Sequence, residues 1–201
     1  MSGVGKSFQA ARLARGGARV FDCDAEIAAR LSEIVVPAPG EAPVVALGRW
    51  MGRPGSGDYR EREARYLALE DDVTRAAIAR AACEGNAVID TTGSVVHLPA
   101  PTLEALRAAG RVVYLHVPPD EHAAMLARYL AEPKPVVFGA SWSREGADAL
   151  ARSYAALLRW RDERYRRLAH AVVDARALDA EGAVLRARLA APAGADRRGD
   201  Q

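Results

Sequence analysis

Five residues near the start of the chain carry the clearest chemistry. They close the stretch Met1-Ser2-Gly3-Val4-Gly5-Lys6-Ser7, which matches all of the pattern G-x-x-x-x-G-K-[ST] except its first glycine. Glycines at these places let successive backbone N–H groups turn inward around phosphate oxygens. A helix opening at Lys6 would aim its positive end at the same anion. The Lys6 ammonium would reach the outer phosphates and the Ser7 hydroxyl would hold a magnesium ion, with the amides from Gly3 to Phe8 completing the cradle. Lys6 and Lys134 are the only lysines in the chain, the other basic side chains being arginine. A lysine kept in so arginine-rich a sequence marks a place where a compact ammonium serves better than a planar fork.

Residues that could serve such a cradle follow in order. Asp22 and Asp24 stand in Phe21-Asp22-Cys23-Asp24, Arg60 in Tyr59-Arg60-Glu61-Arg62-Glu63, and Thr92-Gly93-Ser94 after Asp90. Arg128 precedes the stretch Lys134-Pro135-Val136-Val137, and Arg161 begins an R-x-x-x-Y pattern ending at Tyr165. An aspartate beside an acceptor hydroxyl can orient it and take its proton, and a pair of arginines can clamp an anion. Taken singly, the aspartates could equally cap helices and the arginines lie on solvated helix faces.

In this order the elements resemble the shikimate kinase family of small P-loop kinases, over about residues 1–190 and least between 35 and 57. The resemblance implies ATP and Mg2+ as cofactors and phosphoryl transfer to a hydroxyl of a small, anionic acceptor. It implies that Asp22 lies near the metal with Ser7, and that Asp24 contacts the acceptor hydroxyl. Arg60 and Arg161 are the implied acceptor-binding arginines, and Arg128 and Lys134 the cationic residues of a lid over about residues 131–143. Lys134 would neutralise charge on the transferred phosphoryl group. The family's glycine triplet corresponds to Thr92-Gly93-Ser94, where two side chains narrow the wall and add hydroxyls, so an acceptor other than shikimate is implied. Two further readings share the loop: a nucleotide-binding module without kinase chemistry, and a nucleoside or nucleotide kinase.

The elements that must position these residues read as alternating strands and helices. Helices are predicted over 6–15, 25–31, 58–84, 102–109, 119–130, 145–169 and 180–189. Strands are predicted over 18–21, 87–90, 111–117 and 171–174. Such alternation implies an α/β fold of three layers, a parallel sheet with helices on both faces; with the loop motif, a P-loop NTPase fold. Residues 35–57, rich in Gly and Pro around Trp50, read as an irregular insertion. Asp58 reads as a helix N-cap, and 191–201 as a disordered tail. A phosphate loop follows a buried strand, yet here the motif starts at residue 1, so the first strand is missing. The expectation is that the natural chain starts several residues upstream.

Composition narrows the rest. A length of 201 residues suits one domain, and a net charge of +2 gives no electrostatic argument for a nucleic-acid partner. No uninterrupted apolar run approaches the roughly 20 residues of a membrane span, and the N-terminus lacks signal-peptide order. Cys23 and Cys83 form no CxxC pair and the four histidines are dispersed, which indicates neither a disulfide framework nor a zinc site. These features imply a cytoplasmic protein, monomeric or homodimeric, whose partner is a small molecule.

Overall fold

A computed structural model describes residues 4–132, 134–143, 148–178 and 182–190. Gly3 and the predicted tail lie outside the described residues. Within them the chain is mixed α/β, with parallel strand pairs between helices, as a P-loop kinase fold requires.

Helix α1 (Lys6–Arg15) opens directly behind Gly5, whose φ of 86° lies in the left-handed region that glycine adopts without steric cost. Gly16 ends it, its N–H returning to the carbonyls of Arg12 and Leu13 at 3.3 and 3.0 Å. Strand β1 (Arg19–Asp22) follows and hands over at once to α2 (Cys23–Arg30). Asp22 ends the strand and caps the helix, its Oδ1 accepting the Ala25 N–H at 2.9 Å.

The segment read as an irregular insertion contains a regular helix, α3 (Pro43–Met51). Pro43 occupies its first turn, where a missing N–H costs nothing. Ala46, Leu47 and Met51 on one face are fully buried. The prolines and glycines around it conceal this short apolar repeat from a sequence reading.

Helix α4 (Tyr59–Ala81) buries Tyr59, Glu63, Tyr66, Glu70, Val73, Thr74 and Ala77. Their three- and four-residue spacing makes one inward stripe, and two of its members are glutamates. Asp58 does not cap α4 through its side chain. Its carboxylate instead meets the Arg62 guanidinium at 2.7 Å on the surface, a contact that competes with the helix N–H groups.

The second half comprises β2 (Ala87–Asp90), α5 (Ala100–Ala109), β3 (Val113–His116), α6 (His122–Ala131), α7 (Ala149–Leu168), β4 (Ala171–Asp174) and α8 (Ala183–Ala190). Strand β1 pairs in parallel with β2, setting Asp22 opposite Asp90, and β3 pairs in parallel with β4. Among the described residues no strand joins the two pairs. A cavity of about 370 Å3 is walled by Ala87–Asp90 of β2, Val113–Leu115 of β3, and side chains of α1, α5, α7 and α8. Among the described residues this cavity lies between the two strand pairs.

Most buried apolar side chains form one cluster spanning β1, α2, α3, α4, α6 and α7. A smaller cluster of Leu115, Val173 and Leu185 holds α8 against the β3–β4 pair. Among the described residues no helix is long and apolar enough to cross a membrane.

Candidate active site

Helix α1 has no acidic residue in its first turn, so nothing there opposes an anion at its positive end. A cleft of about 550 Å3 brings Gly5, Lys6, Ser7 and Phe8 together with Asp22, Asp24 and Lys134. Residues more than 100 positions apart thereby share one space, which sequence order alone could not show. Val4 is half-buried at the entrance to the loop and packs on both apolar clusters.

Three carboxylates stand near the loop. Asp22 and Asp90 end the paired strands β1 and β2, so parallel register places them side by side. Asp22 is exposed, while Asp90 is buried. Burial raises the Asp90 pKa above the ordinary carboxylate value, opposed by the Ser7 hydroxyl bonded to it and by Lys6. The sequence reading missed Asp90 as a partner of Ser7. The available signal was its place at the end of an apolar run, one strand from the loop.

Asp24 lies on the first turn of α2. Burial raises its pKa, and the nearby Lys6 ammonium works against that rise. The Tyr66 hydroxyl stands 3.5 Å from its Oδ1, at the limit of a hydrogen bond. A carboxylate held more basic than usual, in the same cleft as a lysine, is suited to receive a proton from a hydroxyl.

Among the described residues no group of three or more His, Cys, Asp or Glu side chains is spaced to hold a metal alone. Magnesium does not need such a cage. It binds through one or two protein ligands together with phosphate oxygens and water. Ser7 with Asp90 or Asp22 fits that donor set.

The remaining predicted residues are arranged differently. Thr92 and Ser94 are buried and both donate hydroxyls to Glu70, Ser94 at 2.7 Å. Gly93 between them is half-buried. Glu70 was not foreseen, because a glutamate on a long charged helix reads as solvated. Its pKa is pushed up to about 7, chiefly by burial and with Asp24 adding, while the two hydroxyls and Arg161 pull it back.

Arg60 and Arg161 do not line the cleft that holds Asp24. Arg60 donates from Nη1 to Glu63 and to the Gly139 carbonyl, both at 3.0 Å. Arg161 donates from Nη2 to the Val137 carbonyl at 2.9 Å and from Nε to His97 Nε2 at 3.3 Å. Burial, then Arg161 and Arg164, lower the His97 pKa to about 3, which keeps that acceptor neutral. The Glu63 carboxylate also accepts the N–H groups of Phe138 and Gly139 at 2.7 and 3.0 Å. Val136, Val137 and Phe138 are buried. The segment behind Lys134 is therefore strapped onto α4 and α7 while Lys134 itself lines the cleft. Arg128 is exposed on the last turn of α6.

No curated protein matches the sequence. The family model for shikimate kinase matches residues 58–188. That span includes Arg60, the Thr92–Ser94 turn, Lys134 and Arg161, whereas Lys6, Ser7, Asp22 and Asp24 precede it and rest on the geometry given above. With the greater part of its length matched, the chain belongs to the shikimate kinase family.

Proposed function

We propose that the protein transfers the terminal phosphoryl group of ATP to a hydroxyl of a small metabolite. Membership of the family supports a kinase-like phosphotransferase in general. The observation that carries the finer reading is the single cleft shared by Lys6, Ser7, Asp24 and Lys134. Bound MgATP supplies the phosphoryl group. Lys6 and the amides behind Gly5 hold its phosphates, and Ser7 with Asp90 and Asp22 holds the magnesium. Asp24 would take the proton from the acceptor's hydroxyl oxygen as that oxygen bonds the terminal phosphorus and the phosphorus–oxygen bond to ADP breaks, ADP leaving with the bridging oxygen. Lys134, which lines the same cleft, offsets negative charge on the group in flight and favours an acceptor that is itself anionic.

The test is Lys6→Met, assayed for MgATP binding and for phosphorylated product from a metabolite pool. Loss of both with an unchanged circular dichroism spectrum supports the proposal, and full turnover in the variant overturns it. Wild-type protein that binds MgATP tightly and yields no product from any pool would instead be a nucleotide-binding module. The burial of Arg161 against the Val137 carbonyl, outside the cleft, is the observation that favours that reading.

A further inference from the structure

We propose that Tyr59 and Glu63 are positioning residues for phosphoryl transfer: together they fix the register of the strap behind Lys134 and so hold that lysine's ammonium in the cleft. This rests on the phosphotransfer reading and concerns how the same site is kept in shape.

The strap carries a built receptor for an anion. Phe138 has φ −92° and ψ −31°, a right-handed conformation, and Gly139 follows with φ 54°, in the left-handed region. That succession turns neighbouring N–H groups to one side and makes a small electropositive concavity. The anion in it is Glu63. Its Oε1 accepts the N–H groups of Phe138 and Gly139 at 2.7 and 3.0 Å, and the Tyr59 hydroxyl stands 2.6 Å from the same oxygen. Its Oε2 accepts from Arg60 at 3.0 Å. Glu63 is only 5 % exposed, so its bonds to the strap are little weakened by water.

Tyr59 lies one helical turn before Glu63 on the buried face of α4. Its oxygen also stands 2.8 Å from the Val136 carbonyl and accepts the Phe138 N–H at 3.1 Å. Only Pro135 separates Val136 from Lys134, and its ring fixes one of the backbone torsions between them. Burial of Val137 and Phe138 holds the strap against the body of the protein, but apolar contact has no direction. The Tyr59 and Glu63 oxygens select which N–H groups and which carbonyl sit against α4. They thereby set the point from which the Lys134 side chain starts.

That control matters because Lys6 lines the same cleft. Two ammonium groups repel, so a strap free to shift would let Lys134 swing out to water. With its backbone fixed, the lysine stays where charge on the transferred group is to be offset. Such stabilisation is strongest when the charged groups are held in place in advance.

Calorimetric titration of the full chain tests this with two probes, MgADP alone and MgADP plus aluminium fluoride, a mimic of the group in transfer. Lys134→Met measures the lysine's share of the affinity for the mimic. Tyr59→Phe and Glu63→Leu should each weaken the mimic complex about tenfold or more, with MgADP alone unaffected. Combined with Lys134→Met, either should cause no loss beyond that of Lys134→Met, since both act through one ammonium. Glu63→Gln, whose amide oxygen can still accept both N–H groups, should retain most of the affinity. A merely structural role would lower stability without this pattern. Circular dichroism confirms folding, and Tyr59→Phe, which removes a single oxygen, carries the test if Glu63→Leu does not fold. The inference is overturned if the folded variants bind the mimic as wild type does, or if Lys134→Met itself has no effect. It is also overturned if the losses add to that of Lys134→Met, or if MgADP alone weakens equally. Failure of the underlying phosphotransfer reading shows separately, as wild-type protein whose MgADP affinity does not rise with aluminium fluoride.

Discussion

The buried Arg161 guanidinium donates to the Val137 carbonyl at 2.9 Å, tying α7 to the strap behind Lys134. Glu63 holds the other side of the same segment by accepting two of its N–H groups. Position of the cleft lysine is thus set from both flanks by side chains outside the cleft.

Replacing Arg161 with Met keeps most of the apolar stem and removes the donors. The buried Val137 carbonyl and His97 would each lose a partner. Urea unfolding should show a loss of about 2–3 kcal/mol. Limited proteolysis should cut residues 134–142 faster than in wild type. A stability change within about 0.5 kcal/mol would mean that the strap is held by apolar burial alone.

Asp24→Asn removes a proton acceptor while keeping the side chain's size. If Asp24 receives the acceptor proton, product formation should fall by about a hundredfold or more. MgATP affinity should be unaltered, because the asparagine leaves the loop intact. A parallel fall in MgATP affinity would place Asp24 among the nucleotide's contacts instead.

Glu70 gives the chain a pH-dependent stability whose sign is fixed. Its folded pKa, about 7, lies above the ordinary value of 4.5, so between these values the folded state holds a proton that the unfolded state has released. The stabilisation is fully present below about pH 4.5 and is lost as pH rises through about 7. The difference corresponds to something on the order of 3 kcal/mol. Burial also raises Asp24 and Asp90, and their contributions have the same sign. Glu70→Gln should flatten this decline when Tm is followed from pH 4 to pH 8. An identical pH profile in the variant would show that Glu70 is ionised throughout.

Much of the site was legible because its residues carry their own local geometry. Helix α1 and strand β4 fall at the residues that the sequence predicts, since a glycine pair closes the first and an apolar run bounded by polar residues defines the second. Lys6, Ser7, Asp22, Asp24 and Lys134 do meet in one cleft. Helix α3 escaped because it is short, almost wholly apolar without a polar face to set a helical period, and flanked by prolines and glycines. Glu70 and Glu63 escaped because burial of a carboxylate depends on partners at positions 92, 94, 138 and 139, which nothing near them in sequence announces. For the same reason, the engagement of Arg60 and Arg161 by backbone carbonyls was not readable. A guanidinium that clamps a substrate and one that clamps its own chain have the same local sequence.

The interruption between β2 and β3 has a consequence for how this molecule keeps to itself. Strand edges normally lie at the rim of a sheet, where charges and bulges discourage another chain from adding to them. Here, among the described residues, edges of β2 and β3 border a partly open cavity that side chains of α1, α5, α7 and α8 also line. Helix α8 rests on a cluster of only Leu115, Val173 and Leu185. It is therefore the cover whose fraying exposes both edges at once.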